Sequence, residues 1–162
     1  MLVTVWRHGE AGPGSPDRSR TLTGRGEADV DRGARGFVAQ LQRRDLPPPG
    51  RVLFSRWRRT TQTAERILTA LPGVASEPFE ALIPGAVAAS VDDALTGFLG
   101  RESHLLLVSH QPLVTELIDR WLGTQGEVPS LSPGAYAVLE MLVVAPGCAA
   151  ALWYSAPPEY RV

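Results

Sequence analysis

The sequence lacks several features that mark particular classes of protein. Its 162 residues contain no lysine, so all sixteen basic residues are arginines, and they contain one cysteine, Cys148. A single cysteine excludes an internal disulfide and fits a reducing compartment. No apolar run is long enough to span a bilayer, and the N-terminal apolar stretch is too short for a signal peptide. We therefore expect a cytoplasmic protein, with Cys148 buried in a strand-like run.

Charge and composition exclude further classes. The formal net charge is −1 at pH 7, so there is no global basic field to attract nucleic acid or an anionic membrane, and neither is an expected partner. No grouping of cysteine, histidine and aspartate has the spacing of metal ligands, and we expect no metal and no cofactor. A hydrophobic content of 44% and a charged content of 20% are ordinary for a soluble globular protein. The length predicts one domain over residues 1–162.

Strand-like and helix-like patterns alternate along most of the chain. The predicted strands are LVTVW (2–6), RVLFS (51–55), a short strand followed by a loop in EPFEALIPGAV (77–87), and HLLLVSH (104–110). The predicted helices run from Thr23, as N-cap, to about Arg43, and then over 58–71, 90–100 and 112–123. Residues 136–144 and 148–156 resemble a β-hairpin. This order predicts an α/β fold: a three-layer αβα arrangement with a mostly parallel central sheet and late antiparallel strands.

Cationic side chains follow the strands at the positions where ligands bind to such sheets. Ligands lie beyond the carboxyl ends of parallel strands. The residues expected at that edge are Arg7, His8, Arg56, Arg58, Arg59, Ser109 and His110, with Arg18 and Arg20 in the loop after the first strand. Arginine forks match the oxygens of a phosphoryl dianion. Nearby positive charge predicts that His8 stays neutral near pH 7, with a lone pair free to attack phosphorus.

Five segments carry a resemblance to a known family. They are Arg7-His8-Gly9-Glu10, RTLTGRG (20–26), SRWRRTTQTA (55–64), LLLVSHQPLV (105–114) and SPGAYAVLE (132–140). The first resembles the RHGE signature of the histidine phosphatase superfamily, whose fold is that of phosphoglycerate mutase, and the others are similar to its later motifs in the same order. Within that superfamily, the chain resembles small bacterial phosphohistidine phosphatases of the SixA type.

The resemblance implies roles for individual residues. It makes Arg7, His8, Arg59 and His110 the catalytic phosphate pocket, with His8 as the nucleophile that becomes phosphorylated. It makes Arg20, Gly9 and Ser109 candidates for substrate binding. The sequence departs from the family pattern at Arg56, where proline is usual, and at Thr60, where alanine is usual.

A general acid is the least defined part of the predicted site. No carboxylate occurs between Glu80 and Asp92, so Glu80 is the candidate, and Asp92 is the second acid that the fold could bring to the site. A weak or absent acid favours cleavage of a P–N bond over a P–O bond, because an alkoxide leaving group depends more on protonation. The short stretch between Glu80 and His104 leaves no room for a capping segment, which predicts an open pocket suited to a protein side chain.

Three functions remain open at this point. The sequence favours a metal-independent phosphatase that acts through a covalent phosphohistidine on a protein bearing phosphohistidine. The alternatives are a phosphatase for small phosphate esters and a non-catalytic protein that binds a phosphorylated ligand.

The remaining aromatic, histidine and arginine residues have simpler interpretations. We expect His104 to be an ordinary, partly exposed histidine and Arg56 and Arg58 to be solvated. Trp57 either lines the pocket or packs beneath it. The other tryptophans, Trp6, Trp121 and Trp153, are expected in the core.

Overall fold

The computed structural model describes residues 1–161. Its elements in chain order are β1 (Leu2–Arg7), α1 (Gly24–Arg43), β2 (Arg51–Phe54), α2 (Arg58–Thr69), β3 (Ala75–Pro78), α3 (Ala88–Leu95), β4 (His104–Ser109), α4 (Leu113–Leu122), β5 (Tyr136–Met141) and β6 (Ala149–Ser155). Short 3-10 turns cover Asp17–Ser19, Glu80–Leu82 and Thr96–Phe98.

The six strands form one mixed sheet in the order β3-β2-β4-β1-β5-β6. Strands β3, β2, β4 and β1 are parallel neighbours, whereas β5 is antiparallel to β1 and β6 is antiparallel to β5. The predicted α/β class, the mostly parallel sheet and the late hairpin are therefore confirmed.

Side chains along the central strands point alternately to the two faces of the sheet, and each face carries a hydrophobic core. In β4, Leu105 and Leu107 face the layer that contains α3 and α4, while Leu106 and Val108 face the layer of α1 and α2. Successive side chains of a strand point to opposite faces, so a strand covered on both sides reads as a continuous apolar run. The three predicted core tryptophans are buried: Trp121 lies in the first layer, and Trp6 and Trp153 lie in the second.

Several element boundaries differ from the sequence prediction, including those of β3 and α3. Strand β3 begins at Ala75, two residues before the predicted segment. The sequence did not indicate this start, because β3 is an exposed edge strand whose residues Ala-Ser-Glu-Pro carry no apolar pattern. Helix α3 ends at Leu95 and continues as a 3-10 turn, where the predicted helix ran to Gly100. The weak helix former Gly97 lies in that turn. The predicted N-cap Thr23 is confirmed, because its side chain accepts a hydrogen bond from the amide of Gly26.

Two residues have surroundings that the sequence did not indicate. The expectation of a partly exposed His104 is wrong: its ring is buried, with Nδ1 2.8 Å from the carbonyl oxygen of Pro47 and Nε2 2.8 Å from Oγ1 of Thr4. The expectation of a buried Cys148 is also wrong, because this residue is half-exposed in the turn before β6. Among residues 1–161, no helix combines the length and apolar character needed to cross a bilayer.

Gly26, in the first turn of α1, allows the helix to pack directly against the loop after β1. A Cβ at Gly26 would overlap the carbonyl oxygen of Glu10 and lie 2.8 Å from its amide nitrogen. Gly36 lies in the same helix, and a Cβ there would meet nothing within 4 Å.

We predict opposite effects for alanine at these two positions. Gly26→Ala should lower the free energy of unfolding by roughly 1–3 kcal/mol, because the backbone of Glu10 must move. Gly36→Ala should raise it by roughly 0.5–1 kcal/mol, because only helix propensity changes. Denaturant unfolding of both variants measures the difference, and equal shifts would contradict the close packing at Gly26.

His104 should make stability depend on pH. Burial is the main cause that lowers its pKa to about 4 from 6.5, with the hydrogen bond to Pro47 opposing the shift. The unfolded chain therefore binds a proton at this ring between pH 6.5 and 4 while the folded chain does not, and stability falls as the pH decreases through that range. The loss is about 3 kcal/mol from this one group.

Unfolding free energies measured at several pH values for wild type and His104→Gln test this prediction. The variant cannot titrate at this position, so its free energy of unfolding should fall less steeply with decreasing pH below 6.5. The difference in slope should correspond to the uptake of about one proton fewer on unfolding. Parallel curves for the two proteins would contradict it.

Candidate active site

The strand register brings together residues that lie about a hundred positions apart in the sequence. Arg7 of β1 is paired with Ser109 of β4, and the amide of His8 donates to the carbonyl oxygen of Ser109 at 3.0 Å. His8 and His110 therefore follow paired residues at the carboxyl ends of two neighbouring parallel strands, and their ring centroids lie 5.2 Å apart. We call the group of Arg7, His8, Arg59 and His110 the His8 site.

Local hydrogen bonds fix the tautomer of His8. Its Nδ1 lies 2.8 Å from the carbonyl oxygen of Gly9, and a carbonyl only accepts, so Nδ1 carries the proton. The other nitrogen, Nε2, then holds a lone pair, and it accepts a hydrogen bond of 3.1 Å from Nε of Arg59. The ring therefore presents a basic nitrogen to a guanidinium group.

Burial keeps this ring uncharged. His8 is 9% exposed, and burial is the main cause that lowers its pKa to about 4. The hydrogen bond to Gly9 opposes the shift, while the charges of Arg59, Arg7 and Arg20 add to it. Loss of water around the ring is therefore a larger cause than the charge of the neighbouring arginines, from which the sequence predicts a neutral His8. At pH 7 Nε2 is therefore unprotonated, and its lone pair becomes free for nucleophilic attack once the hydrogen bond from Arg59 is released.

Arg59 is held from two directions. It lies in the first turn of α2, its side chain is 7% exposed, and its guanidinium stacks over the ring of Trp57 at 4.8 Å. Its Nη1 donates to the backbone carbonyl of Asp17 at 2.9 Å, and Nη2 donates to the Asp17 carboxylate at 3.2 Å. The same carboxylate accepts from Arg20 at 3.0 Å, and this contact with Arg20 is the main cause that lowers the pKa of Asp17.

The other two arginines are anchored by backbone carbonyls. Arg20 donates through Nε to Gly12 at 2.7 Å and through Nη2 to Ala11 at 3.2 Å. Arg7 donates through Nη1 to Leu131 at 2.9 Å, while its buried Nε has no hydrogen-bond partner among residues 1–161. Guanidinium groups of three arginines therefore surround the loop after β1 with fixed orientations.

His110 is the second imidazole of the site. Its Nε2 lies 2.8 Å from Oγ of Ser55, and its Nδ1 is buried without a hydrogen-bond partner in the described chain. The ring of Trp57 meets it edge-on at 5.4 Å. Trp57 is half-buried, so it both packs under Arg59 and borders the two cationic groups.

Gly9 and Ser109 use their polar groups within the protein. The amide of Gly9 donates to Oγ1 of Thr63 at 3.1 Å, and Oγ of Ser109 donates to the carbonyl of Leu82 at 2.8 Å. A Cβ at Gly9 would lie 2.8 Å from the side chain of Val30, so α1 packs closely here. Both residues lie next to the His8 site, and their predicted contact with substrate remains a prediction.

The two carboxylates considered as proton donors have different surroundings. Glu80 is 63% exposed and forms an ion pair with the exposed Arg56 at 2.6 Å. Asp92 is buried, and it accepts hydrogen bonds of 2.7 Å from Nε of Arg120 and from Nε1 of Trp121 on α4. Asp92 therefore joins α3 to α4 in the structural core, which leaves Glu80 as the candidate.

Asp17 and Ser55 contact the His8 site directly, although the sequence did not single them out. Asp17 lies in a loop rich in glycine and proline, three residues before Arg20, and the one sequence signal was an acid within a cluster of arginines. Ser55 directly follows β2, and its amide donates to the carbonyl of Val108 at 3.1 Å, which places it beside His110. Arg18 and Arg58 are exposed, in agreement with a solvated role for Arg58.

The fold and this geometry were compared with known proteins. No protein-family model and no curated protein sequence matches the chain. Solved structures do match it. The protein histidine phosphatase SixA complexed with tungstate is 27% identical with a TM-score of 0.79, and the alignment covers 97% of each chain.

Two more distant structures share the fold. The α-ribazole phosphatase of Shigella flexneri is 17% identical with a TM-score of 0.68, and the alignment covers 93% of this chain and 94% of that one. The mycobacterial glucosyl-3-phosphoglycerate phosphatase in complex with VO3 is 14% identical with a TM-score of 0.72, over 96% and 99% of the two chains. Together with the six-stranded sheet, these matches over nearly the whole length show that the chain has the α/β fold of the SixA phosphohistidine phosphatases and related members of the histidine phosphatase superfamily.

Proposed function

We propose that this protein is a metal-independent phosphatase that transfers a phosphoryl group to Nε2 of His8 and then hydrolyses it. The observation that carries the proposal is the neutral His8 ring, whose proton is held on Nδ1 by Gly9 and whose Nε2 lone pair faces Arg59. A bound phosphoryl group would draw the Arg59 N–H onto its own oxygens and leave the Nε2 lone pair free to attack phosphorus.

The first step forms the bond between Nε2 and phosphorus. The bond from phosphorus to the leaving group breaks, and the leaving group departs with its electron pair. An imidazole already protonated on its other nitrogen leaves as a neutral ring, whereas an alkoxide would take a proton from the candidate acid Glu80. The His8 ring becomes cationic while it carries the phosphoryl group, and the hydrogen bond from Nδ1–H to Gly9 stabilises that charge. Water then attacks phosphorus, the bond between phosphorus and Nε2 breaks, and its electron pair returns to Nε2. Inorganic phosphate leaves with the oxygen and protons of the water, and His8 is neutral again.

The arginines supply electrostatic stabilisation in both steps. Arg7, Arg20 and Arg59 bring three permanent positive charges to a site whose near carboxylate, Asp17, is shared by two of them. These groups stabilise the charge that develops on the equatorial oxygens of the phosphoryl group in the transition state. Their backbone anchors keep them in place before the substrate binds, which lowers the reorganisation needed during the reaction.

We propose phosphohistidine on a protein as the preferred substrate. Glu80 is exposed and paired with Arg56, and Asp92 is engaged in the core, so protonation of a poor leaving group is weakly supported. A protonated imidazole leaves phosphorus readily, whereas an alkoxide does not. The 27% identity with a protein histidine phosphatase supports the same substrate class.

A trapping experiment tests the nucleophile. Protein mixed with radiolabelled phosphohistidine protein and quenched rapidly in alkaline denaturant should retain label that brief acid treatment releases, as expected for phosphohistidine. His8→Ala should retain none. Arg35→Ala, which changes an exposed arginine of α1, should behave as wild type. Label that survives in His8→Ala would reject the assignment of the nucleophile.

A comparison of substrates tests the leaving-group argument. We expect kcat/KM for a phosphohistidine protein to exceed that for sugar phosphates by about a hundredfold, a typical contribution of one general acid. Steady-state release of inorganic phosphate measures both. Faster release from sugar phosphates would favour the small-ester phosphatase instead, and tight phosphate binding without turnover of either substrate would favour a binding protein.

A further inference from the structure

Ser55 contacts His110 in a part of the site that is buried from solvent. Both residues are buried, with Ser55 fully inaccessible and His110 2% exposed. Oγ of Ser55 lies 2.8 Å from Nε2 of His110, so this ring nitrogen is already engaged. Nδ1 is buried and lacks a partner among residues 1–161, so it is the one ring nitrogen left to contact a bound group.

The direction of the hydrogen bond follows from the other contact of Ser55. The backbone amide of Trp57 lies 3.5 Å from Oγ of Ser55, and an amide N–H only donates. Oγ accepts from Trp57, and among residues 1–161 the one acceptor within reach of the buried Ser55 hydroxyl proton is Nε2 of His110, so we assign this proton to the hydrogen bond with Nε2. Because Nε2 then serves as an acceptor, a neutral His110 ring carries its proton on Nδ1.

The ring is neutral under ordinary conditions. Burial is the main cause that lowers the pKa of His110 to about 3, and the neighbouring His8 and Arg59 act in the same direction. A neutral imidazole has one N–H, and the partner of one nitrogen decides which nitrogen bears it.

We propose that Ser55 is a positioning residue that holds His110 in its Nδ1–H form, so that an uncharged His110 donates a hydrogen bond to a phosphoryl oxygen. This inference rests on the proposed function, since it assumes that a phosphoryl group binds beside His8. With the proton on Nε2 instead, the Nδ1 lone pair would face the negative oxygens of the phosphoryl group and repel them.

The two histidines then differ in role because the protein group bonded to one ring nitrogen is an acceptor for His8 and a donor for His110. A carbonyl oxygen, that of Gly9, accepts from Nδ1 of His8 and leaves a lone pair on Nε2 for attack. A hydroxyl group, that of Ser55, donates to Nε2 of His110 and leaves a proton on Nδ1 for binding. Two neutral rings 5.2 Å apart thus serve as nucleophile and hydrogen-bond donor without either being charged.

Nitrogen-15 NMR of histidine-labelled protein measures the tautomer without turnover. We expect the wild-type His110 signals to show a protonated Nδ1, and Ser55→Ala to move the population toward protonated Nε2. Isothermal titration with inorganic phosphate should show binding weakened about tenfold in Ser55→Ala, as expected for the loss of one hydrogen bond to an anion. Ser55→Thr, which keeps the hydroxyl group, should restore most of the affinity.

The matched control is Ser155→Ala, which removes another fully buried hydroxyl group, bonded to the carbonyl of Arg161 in a different part of the sheet. It should leave both the His110 tautomer and phosphate affinity unchanged. A wild-type His110 protonated on Nε2 would overturn the inference even if Ser55→Ala failed to fold. An unchanged tautomer or unchanged phosphate affinity in a folded Ser55→Ala would also overturn it.

The outcome is separable from that of the proposed function. If the protein bound phosphate but trapped no label on His8, the covalent mechanism would fail while the tautomer result decided the role of Ser55. If wild type bound no phosphate, the proposed donation to a phosphoryl oxygen would be rejected together with the phosphatase function, whatever tautomer the NMR spectrum showed.

Discussion

The parallel pairing of β1 with β4 is the constraint on which the rest of the site depends. It sets Arg7 beside Ser109, so His8 and His110 leave the sheet together at its carboxyl edge. Pairing of β4 with β2 on its other side brings Ser55 to the same edge. A shift of one residue in either register would exchange the faces of every side chain in the strand, and the buried apolar rows on both faces of β4 oppose such a shift.

Positive charge and burial from solvent act together at this edge of the sheet. Guanidinium groups retain their charge when partly or fully buried, whereas imidazole rings lose theirs, so one environment holds fixed cations beside neutral bases. The carboxylate of Asp17 accepts hydrogen bonds from both Arg20 and Arg59, and its negative charge reduces the repulsion between these two guanidinium groups. The residues that contact arginine and histidine therefore shape the chemistry as much as the residues of the recognised motifs.

The sequence predicted regular elements well where packing follows local pattern. The apolar run of β4, the N-cap at Thr23 and the glycine that ends α4 all have local physical causes, and the structure contains each of them. The edge strand β3 has no apolar periodicity, so its start was misplaced. His104 and Cys148 were misjudged because burial depends on what packs over a residue, and nearby sequence does not contain that information.

By itself, the sequence determined which residue types were available for the proposed reaction: an Arg-His pair after a first strand, a second histidine after another, and arginines without lysine. These follow from motifs whose members lie within a few positions of each other. Only the tertiary structure decided which nitrogen of each ring holds the proton, how Arg59 is held and where the carboxylates lie. Those properties arise from contacts across 55 positions for His110 and Ser55 and 42 for Arg59 and Asp17, and such distances close only when the chain folds.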